Sequence, residues 1–249
     1  MKISIIILTC SQLQLTLRCL RSIAPITQHG DVEIILVDNG STDSTVETVA
    51  QEFPMVRIIS HPTNIGVSAG RNSGLKAATG EHLMILDNDT IATPEVILQL
   101  SRRLSTTPGA GLVAPRLVSP AGQTQSSFRP YPGILSKLRN VVVGKRRSSI
   151  VEAIPTTPHE PFYVIGAAQM FARTTYLQSG GLDEAIFYGP EDADFCMAVR
   201  KQGLKVIYFP DLTIVHDWQR ATTSRLLSRS ALTHMRALLH FYRKHRRWI

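Results

Sequence analysis

Cysteine is scarce in this chain. The three present, Cys10, Cys19 and Cys196, are odd in number and show no Cys-x-x-Cys spacing. Neither a disulfide framework nor a zinc knuckle is indicated, and a reducing cytoplasm fits best. Long hydrophobic runs are also missing: no stretch approaches the roughly 20 apolar residues that cross a bilayer. The run Ile3-Ser4-Ile5-Ile6-Ile7-Leu8 after Lys2 has too short a core for a signal peptide and reads as a first strand. There is no Gly-x-Gly-x-x-Gly turn and no Walker lysine loop, which disfavours a dinucleotide dehydrogenase or a P-loop enzyme. Acidic residues are absent from Arg220 to Ile249, where eight Lys and Arg fall, while 19 residues of each sign precede that segment. The body is therefore neutral and the tail basic, a distribution suited to nucleic acid, an anionic membrane surface or an acidic polymer.

At 249 residues and 43% hydrophobic content, the chain can bury one sizeable α/β domain. After the first strand come Thr9-Cys10-Ser11, then Leu13, Leu17, Leu20 and Ile23 at helical spacing up to Pro25. Val32 to Val37 repeats the plan, ends in Asp38-Asn39-Gly40-Ser41-Thr42-Asp43, and is followed by a helix from Ser44 to Phe53. Helix capping accounts for Ser41 and Thr42, whereas a carboxylate at Asp38 can accept the N–H of a nucleobase. A third strand spans Val56 to Ser60, and Asn64-Ile65-Gly66 opens a helix over Val67 to Ala78. Gly66, Gly70 and Gly74 put small residues on one face of it, for packing or for close approach of a ligand. Arg71 and Asn72 suit a diphosphate and its sugar.

The next strand, His82 to Leu86, ends in Asp87-Asn88-Asp89. Extended chain has a side-chain period of two, so Asp87 and Asp89 point to the same side where the strand gives out. Their hard oxygens suit Mg2+ or Mn2+, and those ions suit a diphosphate whose charge they neutralise as it leaves. The carboxyl end of a strand is where open α/β sheets bind ligands. Alternating strands and helices over the first hundred residues predict a mainly parallel sheet with helices on both faces.

From Ser105 to Pro161 the character changes, with eight of the fourteen prolines and a basic cluster at Lys145-Arg146-Arg147. Long loops over the site are expected there. Tyr163 to Phe171 reads as one strand and Gly180-Gly181-Leu182-Asp183 as a turn. Glu191, Asp192 and Asp194 then crowd three carboxylates into four residues at a helix start, where the macrodipole alone would favour acids. Val206 to Phe209 is a final strand, and Thr213-Ile214-Val215 leads to His216. In the tail, Leu227, Ala231, Met235, Leu238 and Tyr242 share one side of a helix, with Arg225, Arg229, Arg236, Arg243 and Arg247 opposite. That helix either docks on its own domain or lies on the inner membrane leaflet, where Trp248 also sits well.

Ile3 to Leu8, Val37-Asp38-Asn39-Gly40-Ser41-Thr42-Asp43, Asn64-x-Gly66 with Asn72-x-Gly74, and Leu86-Asp87-Asn88-Asp89 together resemble the family 2 glycosyltransferases of GT-A fold. Gly166-Ala167-Ala168-Gln169-Met170, Gly181-Leu182-Asp183-Glu184 and Glu191-Asp192-Ala193-Asp194-Phe195-Cys196 continue the likeness, which spans Lys2 to His216 in family order. The motif style is similar to that of bacterial rhamnosyltransferases of surface polysaccharide assembly.

The resemblance implies a mainly parallel, Rossmann-like α/β GT-A domain over 1–219. Its nucleotide-sugar half is 1–104, its acceptor half is 105–219, and a basic amphipathic helix follows over 220–249. It implies donor contacts from Thr9, Asp38, Asn64, Gly66, Arg71, Asn72 and Asp87, and Mg2+ or Mn2+ held by Asp87, Asp89 and His216. Asp192 is implied as the general base of an inverting transferase, with Glu191 holding the acceptor hydroxyl. Arg200 and Trp218 would serve acceptor binding or orientation, although Asp217-Trp218-Gln219 departs from the family pattern, in which a small hydroxyl residue soon follows the histidine. The expected partners are a nucleotide-diphosphate-sugar donor, a lipid-linked or polysaccharide acceptor, and an anionic membrane surface, in a cytoplasmic, peripheral enzyme.

Two other readings compete. A nucleotidyltransferase can share an Asp-rich metal site but has no need of an acceptor base such as the Glu191-Asp192 pair offers. A nucleic-acid-binding protein would explain the tail, yet the carboxylates at strand ends repel phosphate unless a metal intervenes.

Overall fold

The structure is a computed structural model that describes residues 2–131, 133, 155–218 and 229–246. In chain order the elements are β1 (Ile3–Thr9), α1 (Leu13–Ile23) with a 3-10 turn at Ala24–His29, β2 (Val32–Asn39), α2 (Thr45–Glu52), β3 (Arg57–His61) and α3 (Val67–Ala77). Then come β4 (His82–Asp87), β5 (Thr90–Ile91), α4 (Pro94–Thr106), β6 (Ala110–Val118), β7 (Phe128–Arg129), β8 (Tyr163–Val164) and β9 (Ala168–Ala172). The last are α5 (Arg173–Ser179), α6 (Glu191–Lys201), β10 (Lys205–His216) and α7 (Arg229–His245).

Eight strands form one sheet in the order β3-β2-β1-β4-β9-β6-β10-β5, and β7 pairs with β8 apart from it. β1, β2, β3 and β4 run parallel, as does β6 with β10, while β9 and β5 pair antiparallel with their neighbours. Ile3, Ile5 and Ile7 face a core shared with Leu17, Leu20 and Ile23 of α1, Val49 of α2, and Ile97, Leu100 and Leu104 of α4. Ile6, Ile35 and Ile85 face the opposite core, shared with Leu75 of α3, Tyr176 of α5, and Phe195, Cys196 and Val199 of α6. Burial on both faces explains why β1, β2 and β4 are near-continuous apolar runs. Gly70 and Gly74 serve packing: a Cβ there would lie 2.6 Å from Leu8 and from Ile6, so α3 sits directly on β1.

Four sequence expectations are corrected. The proline-rich stretch contains β6, a full central strand: Leu112, Val113 and Ala114 are buried on both faces, and Pro115 is tolerated beside the register shift between Phe209 and Thr213 of β10. The strand expected over Tyr163 to Phe171 is two strands, because the backbone breaks at Gly166-Ala167. The Ala167 carbonyl accepts the Asp87 N–H there (2.9 Å). The segments Val206 to Phe209 and Thr213 to Val215 form one twelve-residue strand ending at His216.

Fourth, the tail helix docks through a different face. Ala237, Phe241 and Tyr242 are buried with Leu238 beside them, and Met235 is exposed, because Phe241 packs near Tyr131 and joins the core of α6. Lys145-Arg146-Arg147, Arg220, Arg225, Leu227, Arg247 and Trp248 lie outside the described residues, as do the side chains of Arg229 and Ala231.

Candidate active site

The carboxyl ends of β1, β2 and β4 converge on one rim, as the parallel register requires: Thr9 lies opposite Asp38, and Leu8 opposite Asp87. Beyond β1 the chain takes a left-handed step at Ser11 (φ 51°), rare for a residue with a side chain. The loop after β2 holds it there. Ser11 N–H donates to Ser41 Oγ (2.8 Å), and Thr42 N–H donates to Ser11 Oγ (2.9 Å). Ser41 and Thr42 therefore clamp a neighbouring loop and do not cap α2. Asp43 secures that helix start, accepting from Thr45 N–H and Oγ and from Leu13 N–H across the loop. Asp38 is buried, and its Oδ1 accepts Ser41 N–H at 2.9 Å.

Asp87, Asp89 and His216 each offer a ligand atom, all within 4.8 Å of one another. Asp89 Oδ1 is buried without a hydrogen-bond partner, 3.4 Å from His216 Nε2. An orphaned carboxylate oxygen beside an imidazole is what a hard divalent cation would satisfy, so these residues fit Mg2+ or Mn2+. The other nitrogen of His216, Nδ1, lies 2.8 Å from Gln125 Oε1, while Gln125 Nε2 donates to the His216 carbonyl. This outer partner leaves Nε2 free to face the carboxylates. Burial alone would depress the imidazole, but Asp89 more than reverses this and raises it. The neighbouring backbone is fixed as well: Asp217 N–H donates to the Asp89 carbonyl, and Thr90 Oγ donates to that of Asp87.

Arg71 joins this cluster to the acids of α6. Its guanidinium donates to Asp87 Oδ1 (2.6 Å), the Gly166 carbonyl (3.2 Å) and Glu191 Oε1 (3.4 Å). Gly166 leaves room for this contact, since a Cβ there would lie 2.9 Å from the guanidinium and displace it. Burial would lower the Arg71 pKa, but Asp87 and Glu191 reverse that and raise it. Glu191 is buried and also accepts Gly189 N–H (2.8 Å). Burial and the charge of Asp192 push its carboxyl up, well above the usual range, against the pull of Arg71. Asp192 is raised too, chiefly by burial, although its side chain keeps partial access to solvent. Asp194 faces away and is engaged by Lys244 and His245 of α7.

Several expected contacts fall elsewhere. Thr9 is buried in a polar knot with Thr16 Oγ (2.8 Å) and Asn88 Nδ2 (3.3 Å), so it braces the rim from behind. Asn72 is turned to the loop after α5, donating to the Leu182 carbonyl and Glu184 and accepting Leu182 N–H. Arg200 donates to the carbonyls of Pro161 and Phe162 and not to the acidic pair; the arginine that meets Glu191 is Arg71. Asn64 Oδ1 accepts from Asn39 and from Gly66 N–H, and Gly66 (φ 95°) lies under the Phe187 ring. Trp218 stands exposed beside Asp217, which pairs with Arg18 (2.5 Å). Sequence reasoning missed Gln125, which sits in a loop with no periodic pattern, and Asn39, whose side chain fixes Ile65 and Gly66.

The family model described as glycosyl transferase family 2 matches residues 4–174. The chain belongs to this family. It is thus an enzyme, a glycosyltransferase, and its mixed α/β sheet is that of GT-A transferases. Over 249 aligned positions the transferase is 26% identical to the N-acetylglucosaminyl-diphospho-decaprenol L-rhamnosyltransferase of Mycobacterium tuberculosis, covering 93% of this chain and 81% of that one. It is 27% identical to the pre-mycofactocin glycosyltransferase of the same species, over 77% of this chain and 39% of the relative. Among solved structures, a mannosyltransferase from Pyrobaculum calidifontis in complex with GDP-Man and Mn2+ superposes with a TM-score of 0.64 at 19% identity. That match covers 98% of this chain and 64% of the other. GalNAc-T7 with UDP, GalNAc and Mn2+ gives a TM-score of 0.71 at 14% identity, over 97% of this chain and 48% of that one. At those identities the structural likeness speaks for the fold alone.

Proposed function

We propose that the transferase moves a sugar, with inversion, from a nucleotide-diphosphate-sugar donor to a hydroxyl of a lipid-linked or polysaccharide acceptor, with Asp192 as general base. The observation that carries this reading is the pairing of two acidic groups through one guanidinium: Asp87 on one side of Arg71, Glu191 on the other. Asp87, Asp89 and His216 would hold Mg2+ or Mn2+, which supplies charge neutralisation for the departing diphosphate. Asp38, on the same rim, offers a carboxylate to the nucleobase. Of the three acids at the start of α6, Asp194 is engaged by Lys244 and His245, and Glu191 by Arg71 and Gly189 N–H. Asp192 keeps partial access to solvent and can take the acceptor proton as the oxygen attacks the anomeric carbon opposite the diphosphate. Glu191, its carboxyl raised, sits where it can hold the acceptor hydroxyl.

Two observations support this acceptor class, one on α7 and one from the relative. Met235 and Leu239 are exposed on the outward face of α7 together with Arg236 and Arg243, and the exposed Arg246 follows directly after the helix. Such a face lies well on an anionic, cytoplasmic leaflet, at about 1 kcal/mol per arginine. No helix among the described residues is long and apolar enough to cross a membrane. The named substrate of the mycobacterial rhamnosyltransferase is a diphospho-decaprenol, so an acceptor presented at a membrane is the class this reading favours.

The deciding experiment is a hydrolysis and transfer screen across nucleotide sugars with Mn2+ and with EDTA. The expected outcome is release of one nucleoside diphosphate in Mn2+ that stops on chelation. Release that survives exhaustive chelation would remove the metal from the reading, and nucleoside monophosphate as product would point to nucleotidyl chemistry instead. Vesicle sedimentation tests the membrane face: charge reversal at Arg236, Arg243 and Arg246 should abolish salt-sensitive binding to anionic vesicles.

A further inference from the structure

The end of α7 carries a charge cluster that transfer chemistry, as described, does not use; Asp194 and His245 are its buried members, while Lys244 and His240 keep 34% and 41% of their side chains open. Lys244 Nζ donates to Asp194 Oδ2 (2.8 Å) and to Asp183 Oδ2 (2.7 Å). His245 Nε2 lies 2.7 Å from Asp194 Oδ1, and His240 Nε2 lies 2.9 Å from Asp183 Oδ2. The His245 and Asp194 side chains are only 1% and 2% exposed. Removing ions from water offsets much of what their attraction returns, so such a cluster is a weak source of stability compared with apolar side chains of equal size. Phe241 and Tyr242 already anchor the helix in the core. What the cluster adds is a fixed register between α7 and the two segments it grips.

One of those segments is the start of α6. Asp194 lies in the same helical turn as Glu191 and Asp192, and its N–H donates to the Pro190 carbonyl (2.9 Å). Three carboxylates in four residues repel one another, and Lys244 places a cation against the group. About three turns earlier in α7 the His234 ring lies 6.2 Å from that of Tyr188, and any Cβ on Gly189 would collide with it. His234 and His245 are about 16 Å apart along a helix at 1.5 Å per residue. Residues 188–194 are thus gripped at two points along one helix.

We propose that Lys244 and His245 are positioning residues for transfer: by holding Asp194 they fix the first turn of α6, and with it the placement of Glu191 and Asp192. This rests on the reading of Asp192 as the base. A displacement of about 1 Å in a catalytic group can cost on the order of 100-fold in rate. Lys244→Ala and His245→Ala in the full chain should therefore lower the single-turnover transfer rate by about 10- to 100-fold. The affinity for UDP, GDP or dTDP with Mn2+, titrated calorimetrically, should stay within about twofold, because the metal and nucleotide groups sit on the far side of Arg71. Lys244→Arg, which keeps the charge, should recover most of the rate. Hydrogen exchange at the amides of Ala193 to Cys196 should quicken in both alanine variants.

If Lys244→Ala does not fold, Lys244→Met keeps the apolar stem, removes the charge and carries the same comparison. Transfer at the parent rate in a folded Lys244→Ala protein overturns the proposal, as does nucleotide affinity falling in step with rate. Asp192→Asn separates the two readings: normal transfer by that variant removes Asp192 as base, and the hydrogen-exchange arm then decides the clamp by itself. Unchanged exchange in both alanine variants would overturn it.

Discussion

Replacing Arg71 with methionine tests whether one cation holds the halves of the site together, and the structure says how the effect should depend on pH. The guanidinium is buried and serves Asp87 and Glu191 at once. Asp87 has 32% of its side chain open to water and can be solvated without Arg71, whereas the Glu191 side chain is 10% exposed. Removing one partner of a buried pair costs about 3–5 kcal/mol when the remaining charge stays in place. Glu191 has another course, because burial and Asp192 already raise its carboxyl above the usual range, and without Arg71 it rises further and takes up a proton.

The sign of the pH dependence follows. A carboxyl whose folded pKa is raised contributes stability that is complete below its unfolded value and is lost, at up to about 1.4 kcal/mol per pH unit, between that value and the folded one, with no further loss above it. In the parent, Arg71 holds Glu191 lower, so the parent has already taken most of that loss by neutral pH while its charge remains paired. The variant, its folded value higher still, goes on losing stability after the parent has levelled off. At pH 6 the variant's Glu191 is neutral and the gap in stability is small; by pH 8 the gap should have widened by about 1–2 kcal/mol, or about 2–8 °C in Tm for a chain of this size. Calorimetric scans of both proteins in EDTA at the two pH values measure it directly. A gap that is constant or narrows with rising pH would refute the argument.

Asp192→Asn keeps shape and removes basicity, so single-turnover transfer should fall by about 100- to 10,000-fold with nucleotide-diphosphate affinity unchanged; near-normal transfer would move the role to another acid. Asp89→Ala should abolish Mn2+-dependent nucleotide binding, and Gln125→Ala, which frees His216 to turn, should weaken Mn2+ affinity by about 10- to 100-fold in a direct metal titration. Gly74→Ala places a methyl group against Ile6 and Val37 beneath α3 and should cost about 1–3 kcal/mol in urea unfolding without altering nucleotide affinity in protein that remains folded.

The first half of the fold was legible because its strands are buried on both faces. β1, β2 and β4 are near-continuous apolar runs, and β2 and β4 lead straight into Asp38 and Asp87, so the sheet and its ligand-facing rim can be read together. β6 hid because Gly111 and Pro115 look like loop residues. Both are accommodated by close packing, Gly111 against Leu204 and Val199, and Pro115 beside the irregularity in β10. The metal candidates were visible as residue types, yet what orients His216 was not, since Gln125 reaches it from a segment without periodicity. From the sequence Arg71 suits a diphosphate, whereas in the structure it meets carboxylates from two other elements; single-sequence patterns report which side of a helix is small, not which distant acids meet it. The tail misled for a related reason. Its hydrophobic spacing supports two overlapping stripes, and Phe241 with the charge cluster at Lys244 selected the one centred on Ala237.

His216 stands at the end of β10, which lies next to the sheet's edge, with β5 beyond it antiparallel at residues 90 and 91. The three candidate ligands therefore come together only when one of the last strands made has been inserted between β6 and a short hairpin-like edge made much earlier. During synthesis, Asp87 and Asp89 emerge with the nucleotide-facing half, but a nascent chain that has completed β4 and not yet β10 has two carboxylates and no imidazole. If these three residues hold the metal as proposed, its full ligand set is complete only after the segment bearing Glu191 and Asp192 has been made. In sequence terms the proposed metal site is therefore the most discontinuous part of the rim, closed by the last strand and not by the half that carries its two carboxylates.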